Sequence, residues 1–144
     1  MSRLFTVLCV VFFSVSLAQA RMVSIDGNSV NLRAGPGKHY RVIWELGHGY
    51  PLRVLATRGD WVRVRDFEND SGWVYRNLLS DEGYVIVRKH MVNLRSGPGR
   101  KYRLVGRAAY GVVFKVMETQ GKWVRVRHQN GVSGWVFRSL LWGW

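Results

Sequence analysis

The stretch WVRVRDFENDSGWVYRNLL, residues 61–79, is written again as WVRVRHQNGVSGWVFRSLL, residues 123–141. Within WVRVR the valines alternate with Trp and Arg. Val62 and Val64 therefore point to one side of a strand, and Trp61, Arg63 and Arg65 to the other. The second copy sets Val124 and Val126 against Trp123, Arg125 and Arg127 in the same way. The polar residues 69–71 form a turn, and Gly72 opens the returning strand. A period of two, sustained in both copies, makes the chain all-β.

Working outward, residues 30–79 align with 92–141 without a gap, and 25 of the 50 pairs are identical. NLRAGPG (31–37) returns as NLRSGPG (93–99), each followed by a Tyr-Arg pair two residues on. Two copies of this length are too few and too long for a stacked solenoid, so they read as two small domains in tandem, 21–80 and 81–144. The junction Ser80-Asp81-Glu82-Gly83 is short and polar, which holds the domains close. Further strands are expected at 29–33, 41–46, 50–57 and 72–75, with turns at 35–37, 47–49 and 58–60. No stretch offers an amphipathic helix. About five short strands in each unit favour a small closed or half-closed barrel. In NLRAGPG, Leu32 faces the core while Asn31 and Arg33 face out. Pro36 then fixes one backbone angle, and the flanking glycines supply conformations closed to other residues.

The first twenty residues have the layout of a secretory signal peptide: Arg3, an apolar run over 4–17, and Ala18-Gln19-Ala20 as a small-x-small cleavage site. A membrane span would need about 20 apolar residues and usually a charged stop, so no transmembrane anchor is expected after cleavage. The single cysteine, Cys9, lies in this segment. Thr6-Val7-Leu8 before it do not form a small-residue lipobox. The rest of the chain has no disulfide, thiol nucleophile or thiolate metal site. Export to the periplasm, or to the cell surface and medium, is the expected destination. Small exported domains without disulfides fit a bacterial setting.

The whole chain carries a formal charge of +13. Residues 21–80 hold nine basic against six acidic residues, and 81–144 twelve against three, so the second unit is expected to dominate the electrostatics. This excess favours anionic partners, with salt-sensitive affinity. An exported protein meets wall polymers, phospholipid headgroups and acidic glycans, so nucleic acid is not the expected partner.

No catalytic constellation is legible. His39, His48, His90 and His128 occupy unmatched positions of the repeat and none has zinc-site spacing, so they read as surface-loop residues. Asp66-x-Glu68-x-Asp70 has the alternation of a calcium loop, but its glycine is misplaced and no Glu closes it. The second copy has His128, Asn130 and Val132 there, and the stretch reads as a solvated hairpin loop. Ser71 and Ser133 have no His-Asp pairing nearby. No metal or cofactor is expected.

What remains is aromatic and basic. Tryptophan stands at 44, 61, 73, 123, 135, 142 and 144. Indoles stack on sugar rings and peptide planes, and arginines pair bidentately with carboxylates. The candidate ligand-binding residues are Trp61, Arg63 and Arg65 with Trp123, Arg125 and Arg127, joined by Tyr40 and Tyr102 of the first loop. A second role stays open for each, because small barrels use Trp, Tyr and arginine stems to cover a thin core. Trp73 and Trp135, beside turn glycines, are read as such covers. The aromatic tail, 141–144, has no counterpart in the first unit. It packs between the domains or stands free as an anchor for a partner.

The order NLRxGPG, Tyr, WVRVR, SGWV and Leu-Leu, met twice, resembles the bacterial Src-homology-3 (SH3-like) family over residues 22–80 and 84–141. The resemblance implies two tandem SH3-like β-barrels, each with a short helical turn before its last strand, at Arg76-Asn77-Leu78 and Arg138-Ser139-Leu140. It also implies a targeting module of the kind found beside wall-cleaving enzymes, with peptidoglycan or its peptide bridges as ligand. One family feature does not carry over. Trp61 and Trp123 stand where eukaryotic relatives place the Trp of a polyproline groove, but Tyr75 and Leu78, and Phe137 and Leu140, replace its Pro and Tyr. The first loop is basic (Lys38, Arg41; Arg100, Lys101, Arg103) rather than acidic. The expectation is therefore an exported, non-catalytic module that binds peptidoglycan or another anionic envelope polymer. The alternative is an adaptor that docks on an envelope enzyme or receptor through Trp44, Trp142 and Trp144.

Overall fold

Alternating valines need an interior to face, and each repeat builds one from a single sheet. The computed structural model describes residues 20–144. The expected export segment, apart from Ala20, lies outside the described residues. The first unit forms β1 (Met22–Ile25), β2 (Val30–Arg33), β3 (Val42–Leu46), β4 (Pro51–Arg58), β5 (Trp61–Arg65), β6 (Ser71–Tyr75) and β7 (Leu79–Ser80). The second forms β8 (Tyr84–Val87), β9 (Met91–Arg95), β10 (Leu104–Ala109), β11 (Val113–Gln120), β12 (Trp123–Arg127), β13 (Ser133–Phe137) and β14 (Leu141–Gly143). Each set makes one seven-stranded antiparallel sheet, ordered β3-β2-β6-β5-β4-β1-β7 and β10-β9-β13-β12-β11-β8-β14. The first sheet's core cluster, including Ile25, Leu32, Leu52, Val64 and Val74, comes from that sheet alone, so the sheet curls around it. In β5, Val62 and Val64 are 5% and 0% exposed while Arg63 on the opposite face is open to solvent. One-turn 3₁₀ helices stand at Arg76–Leu78 and Arg138–Leu140, where the family resemblance implies them.

Each sheet has seven strands rather than five. The missed strands are short, and β1 and β8 carry no alternation to read, because both their faces are buried. Val23 and Ile25 enter the core, but Ser24 between them is 0% exposed and donates its Oγ hydrogen to the Glu82 carbonyl at 2.9 Å. Ile86, at the matching position of β8, is 1% exposed and lies outside both core clusters. What covers these outer positions is the neighbouring domain. Strand β4 contacts β8 and β14, and the Arg53 guanidinium sits 5.8 Å from the centroid of Trp142. Trp142 of the aromatic tail is thus packed at the junction, as a residue of β14. On the far side of the junction, Tyr110 donates to Glu68 Oε1 at 3.0 Å, and its ring lies 5.2 Å from Phe67.

The Gly-Pro-Gly turns are built differently from expectation. Neither Gly35 nor Gly37, nor Gly97 or Gly99, has a positive φ. The need for glycine is one of space: a Cβ on Gly35 would stand 2.5 Å from the Tyr40 ring, and one on Gly97 equally close to Tyr102. The repeated Gly and Tyr are a matched pair, the ring lying flat on the bare backbone.

The acidic loop also differs. Asp66 is buried rather than solvated, and its Oδ1 accepts hydrogen bonds from the Glu68 and Asp70 backbone amides, both at 2.9 Å. The Tyr50 hydroxyl approaches Oδ2 at 3.4 Å. Burial raises the Asp66 carboxyl above the usual carboxylate range, opposed by those two amides; burial and then the Asp66 charge push the Tyr50 phenol up. Asp66→Ala is expected to cost about 1–3 kcal/mol by orphaning the loop amides. Asp66→Asn keeps an acceptor and should spare the loop. Because folding raises this pKa, the group's stabilising share is full below its unfolded value and is lost as pH rises through the folded one. The Asn variant should therefore gain on wild type with rising pH across the acid range. Urea unfolding of the three proteins at several pH values checks both statements.

Candidate ligand groove and its basic row

The outer face of β2, β6 and β5 carries the site. Arg33 on β2 and Arg63 on β5 both register with Trp73 on β6, giving a row Arg33, Trp73, Arg63 across three strands. Directly opposed residues lie within side-chain contact, so the two arginine stems flank the indole. Two pairs further along, on the same face, Trp61 registers with Tyr75, their ring centroids 5.6 Å apart and the planes at 63°. With Leu78 from the 3₁₀ turn these rings form one wall of a groove of about 490 Å³. Arg33, Lys38 and Asn31 line the opposite side. Arg33 is held there by Nη1, which donates to the carbonyls of Lys38 and Tyr40 at 2.9 and 3.0 Å. The groove therefore offers aromatic and aliphatic surface along one side and positive charge along the other, with no carboxylate in its lining.

The second domain repeats the arrangement. Trp123 meets Phe137 at 5.4 Å and 63°, and Arg95 Nη1 donates to the Tyr102 carbonyl at 3.1 Å. Two differences separate the copies. Phe137 lacks the hydroxyl of Tyr75. Arg125 is paired with Glu118 at 3.2 Å, where the first domain has Ala56, so Arg63 has no ion-pair partner among the described residues. The less basic domain thus presents the less neutralised arginine.

The eight candidate residues do not form one surface. Trp61 lines the groove, and Trp123 makes the equivalent aromatic pair. Arg63 and Arg125 stand in the central rows beside Trp73 and Trp135. Arg65 and Arg127 lie at the opposite ends of their strands, registering with Arg53 and Lys115 and thus towards the domain junction. Tyr40 and Tyr102 cover their glycines, and Tyr40 does not line the first-domain groove. Arg33 and Asn31, which do, escaped the sequence reading as ligand contacts. The matching outward positions of NLR and WVRVR were the available signal, but only strand register joins β2 to β6. Among the described residues, no cluster of His, Cys, Asp and Glu could hold a metal ion, and no helix is long and apolar enough to cross a membrane.

Comparison with known proteins bears on the same elements. The chain is 29% identical over 136 residues to the "Putative N-acetylmuramoyl-L-alanine amidase YrvJ" of Bacillus subtilis, a match that covers 87% of this chain and 26% of that protein. The chain thus spans about a quarter of its relative's length. Among solved structures, NlpC1 from Trichomonas vaginalis superposes with a TM-score of 0.40 at 16% identity, covering 89% of this chain and 47% of that one. The endolysin LysPBC5 CBD gives 0.36 at 20% identity, covering 90% and 98%. These superpositions are loose, and the assignment rests on sequence. The family model of the bacterial SH3 domain matches twice, over residues 26–81 and 88–143, which take in β2 to β7 and β9 to β14 with both 3₁₀ helices. The chain belongs to the bacterial SH3 domain family and carries two copies of the domain.

Proposed function

We propose that this protein is a non-catalytic cell-wall-binding module that holds peptidoglycan, an acidic glycopeptide polymer. The first-domain groove between Trp61, Tyr75 and Leu78 is one site, and its counterpart around Trp123, Phe137 and Leu140 is the other. The observation that carries this reading is the composition of the groove. Aromatic rings suited to sugar and peptide planes face Arg33 and Lys38, suited to carboxylates. The similarity to about a quarter of a protein named as a putative N-acetylmuramoyl-L-alanine amidase supports it, on the reading that this quarter brings the enzyme to its substrate. Two modest sites on adjoining domains gain by avidity when both reach one polymer. With the expected export segment, the place of action is the periplasm or cell surface.

The adaptor reading retains one observation: Trp44, on the outer strand β3, is 55% exposed beside an exposed Val42. Trp142 is engaged at the junction and no longer counts towards it. Salt separates the two readings. Sedimentation of the protein with purified sacculi should weaken at least about tenfold between roughly 50 and 500 mM salt, because screening removes the arginine and lysine contribution. Binding to envelope protein that persists at high salt, with none to sacculi at low salt, would select the adaptor instead.

A further inference from the structure

We propose that the cleft between the two domains is a separate binding site for a carboxylate carried on a sugar-peptide unit. This deepens the wall-binding reading and rests on it. The cleft measures about 650 Å³ and is lined from both sides: His48 by the first domain, and Tyr84, Lys115, Met117, Arg127 and His128 by the second. Its size falls within the range of about 300–1,000 Å³ found for sites that take small organic ligands. Neither barrel alone contains it.

The repeat shows what is unusual here. Lys115 and Arg127 are direct cross-strand neighbours on β11 and β12, the counterparts of Arg53 and Arg65 on β4 and β5. Like charges placed opposite one another across a sheet repel. In the first domain the pair lies towards the junction: Trp142 sits against Arg53, and the Nε atoms of Arg53 and Arg65 are sealed from solvent. In the second domain both cations remain exposed and face the cleft. The nearest carboxylate, Glu82, stands 4.0 Å from Lys115, at the outer limit of an ion pair, and no acidic side chain lines the cleft. The buried Asp66 of the first domain is replaced by His128. The Nδ1 of His128 accepts from the Asn130 amide at 3.1 Å, so its Nε2 carries the proton as a donor.

The rest of the cleft is firm and partly apolar. The Tyr84 ring lies on Gly49, where a Cβ would approach to 2.5 Å, and its hydroxyl meets His48 Nε2 at 3.2 Å. This fixes one wall across the domain boundary before any ligand arrives. Met117 and the Tyr84 ring supply carbon surface that a bare inorganic ion would leave unused. A cation pair met by a single carboxylate at 4.0 Å, a histidine donor and apolar walls together fit an organic carboxylate.

The test uses the intact two-domain protein and soluble disaccharide-peptide fragments released from sacculi, either with free carboxylates or with those carboxylates amidated. Amide signals are followed by nuclear magnetic resonance and affinity by calorimetry. Free-acid fragments should shift signals at Tyr84, Lys115 and His128, and amidation should lower affinity at least about tenfold, the loss of one charge-assisted contact. Lys115→Gln/Arg127→Gln should abolish the cleft shifts. Both positions are exposed, and the spectrum itself reports whether the variant is folded. Should it misfold, the loss of the Tyr84, Lys115 and His128 shifts on amidation carries the test, because those residues belong to the cleft and not to the groove. Shifts confined to Trp61 and Trp123, or cleft shifts indifferent to amidation, would overturn the cleft site while leaving wall binding intact. No shifts at all, with no sedimentation on sacculi, would overturn both.

Discussion

Gly72→Ala is expected to destabilise the first domain by about 3 kcal/mol, the upper part of the range for an overpacked core. Gly72 sits where β6 crosses closest to β2. A Cβ there would stand 2.7 Å from Leu32 Cγ and 2.9 Å from the Arg33 carbonyl oxygen. Leu32 is 1% exposed and enclosed by the core, so it has nowhere to retreat, and the carbonyl belongs to the backbone. Gly134 is confined by Leu94, Val105 and the Arg95 carbonyl in the same way. Thermal unfolding should show the first domain losing more than about 10 °C, since each kcal/mol shifts a domain of this size by roughly 4–8 °C. The second domain should melt nearly where it did, apart from what the junction couples. Gly59→Ala, with open space around its Cβ but a φ of +57°, is a useful comparison, expected to cost about 1 kcal/mol. A Gly72→Ala protein as stable as wild type would mean that β2 and β6 are not packed as described.

This glycine also marks where the sequence stops being readable. SGW reads easily as a turn and a strand start. That its glycine answers to Leu32, forty residues earlier, is a fact of register and leaves no local trace. The strands legible in advance were those with one wet face, such as WVRVR, because water on one side writes the alternation. Strands β1 and β8 are dry on both faces, since each domain helps cover the other's strand at Ser24 and Ile86, and the signal vanished. The same limit applied to the site. Outward Trp and Arg on β5 and β12 could be read from period two. The separation of Trp61 from Arg65 along the strand, the arrival of Arg33 from β2, and the cleft beside Arg127 required three-dimensional neighbours. The Gly-Tyr pair of NLRxGPG shows the converse. The motif was visible twice, but its cause is a ring seated on backbone rather than a left-handed turn.

The second large effect concerns function. Trp61 and Trp123 are half-buried, each set edge-on against an aromatic neighbour and each on the outward face of its strand. Neither belongs to the core clusters. Truncation should therefore remove groove surface while leaving the sheets folded, although Tyr75 and Phe137 lose a packing partner worth about 1 kcal/mol. Stacking residues at the centre of a site commonly contribute about 2 kcal/mol or more each, so loss at both grooves compounds through lost avidity. Trp61→Ala/Trp123→Ala should fall well over tenfold in sacculus affinity, and either single variant should fall less. Trp44→Ala, at the exposed β3 edge, should bind sacculi as wild type does.

The measurement that bears most directly on the central claim is sedimentation of wild type and Trp61→Ala/Trp123→Ala with purified sacculi at low salt, each first shown to be folded by its amide spectrum. Wild type should pellet with the wall, and the folded double variant should stay in solution. A double variant that pellets as fully as wild type would contradict the groove as the wall-binding site. A wild type that never leaves solution would contradict wall binding itself.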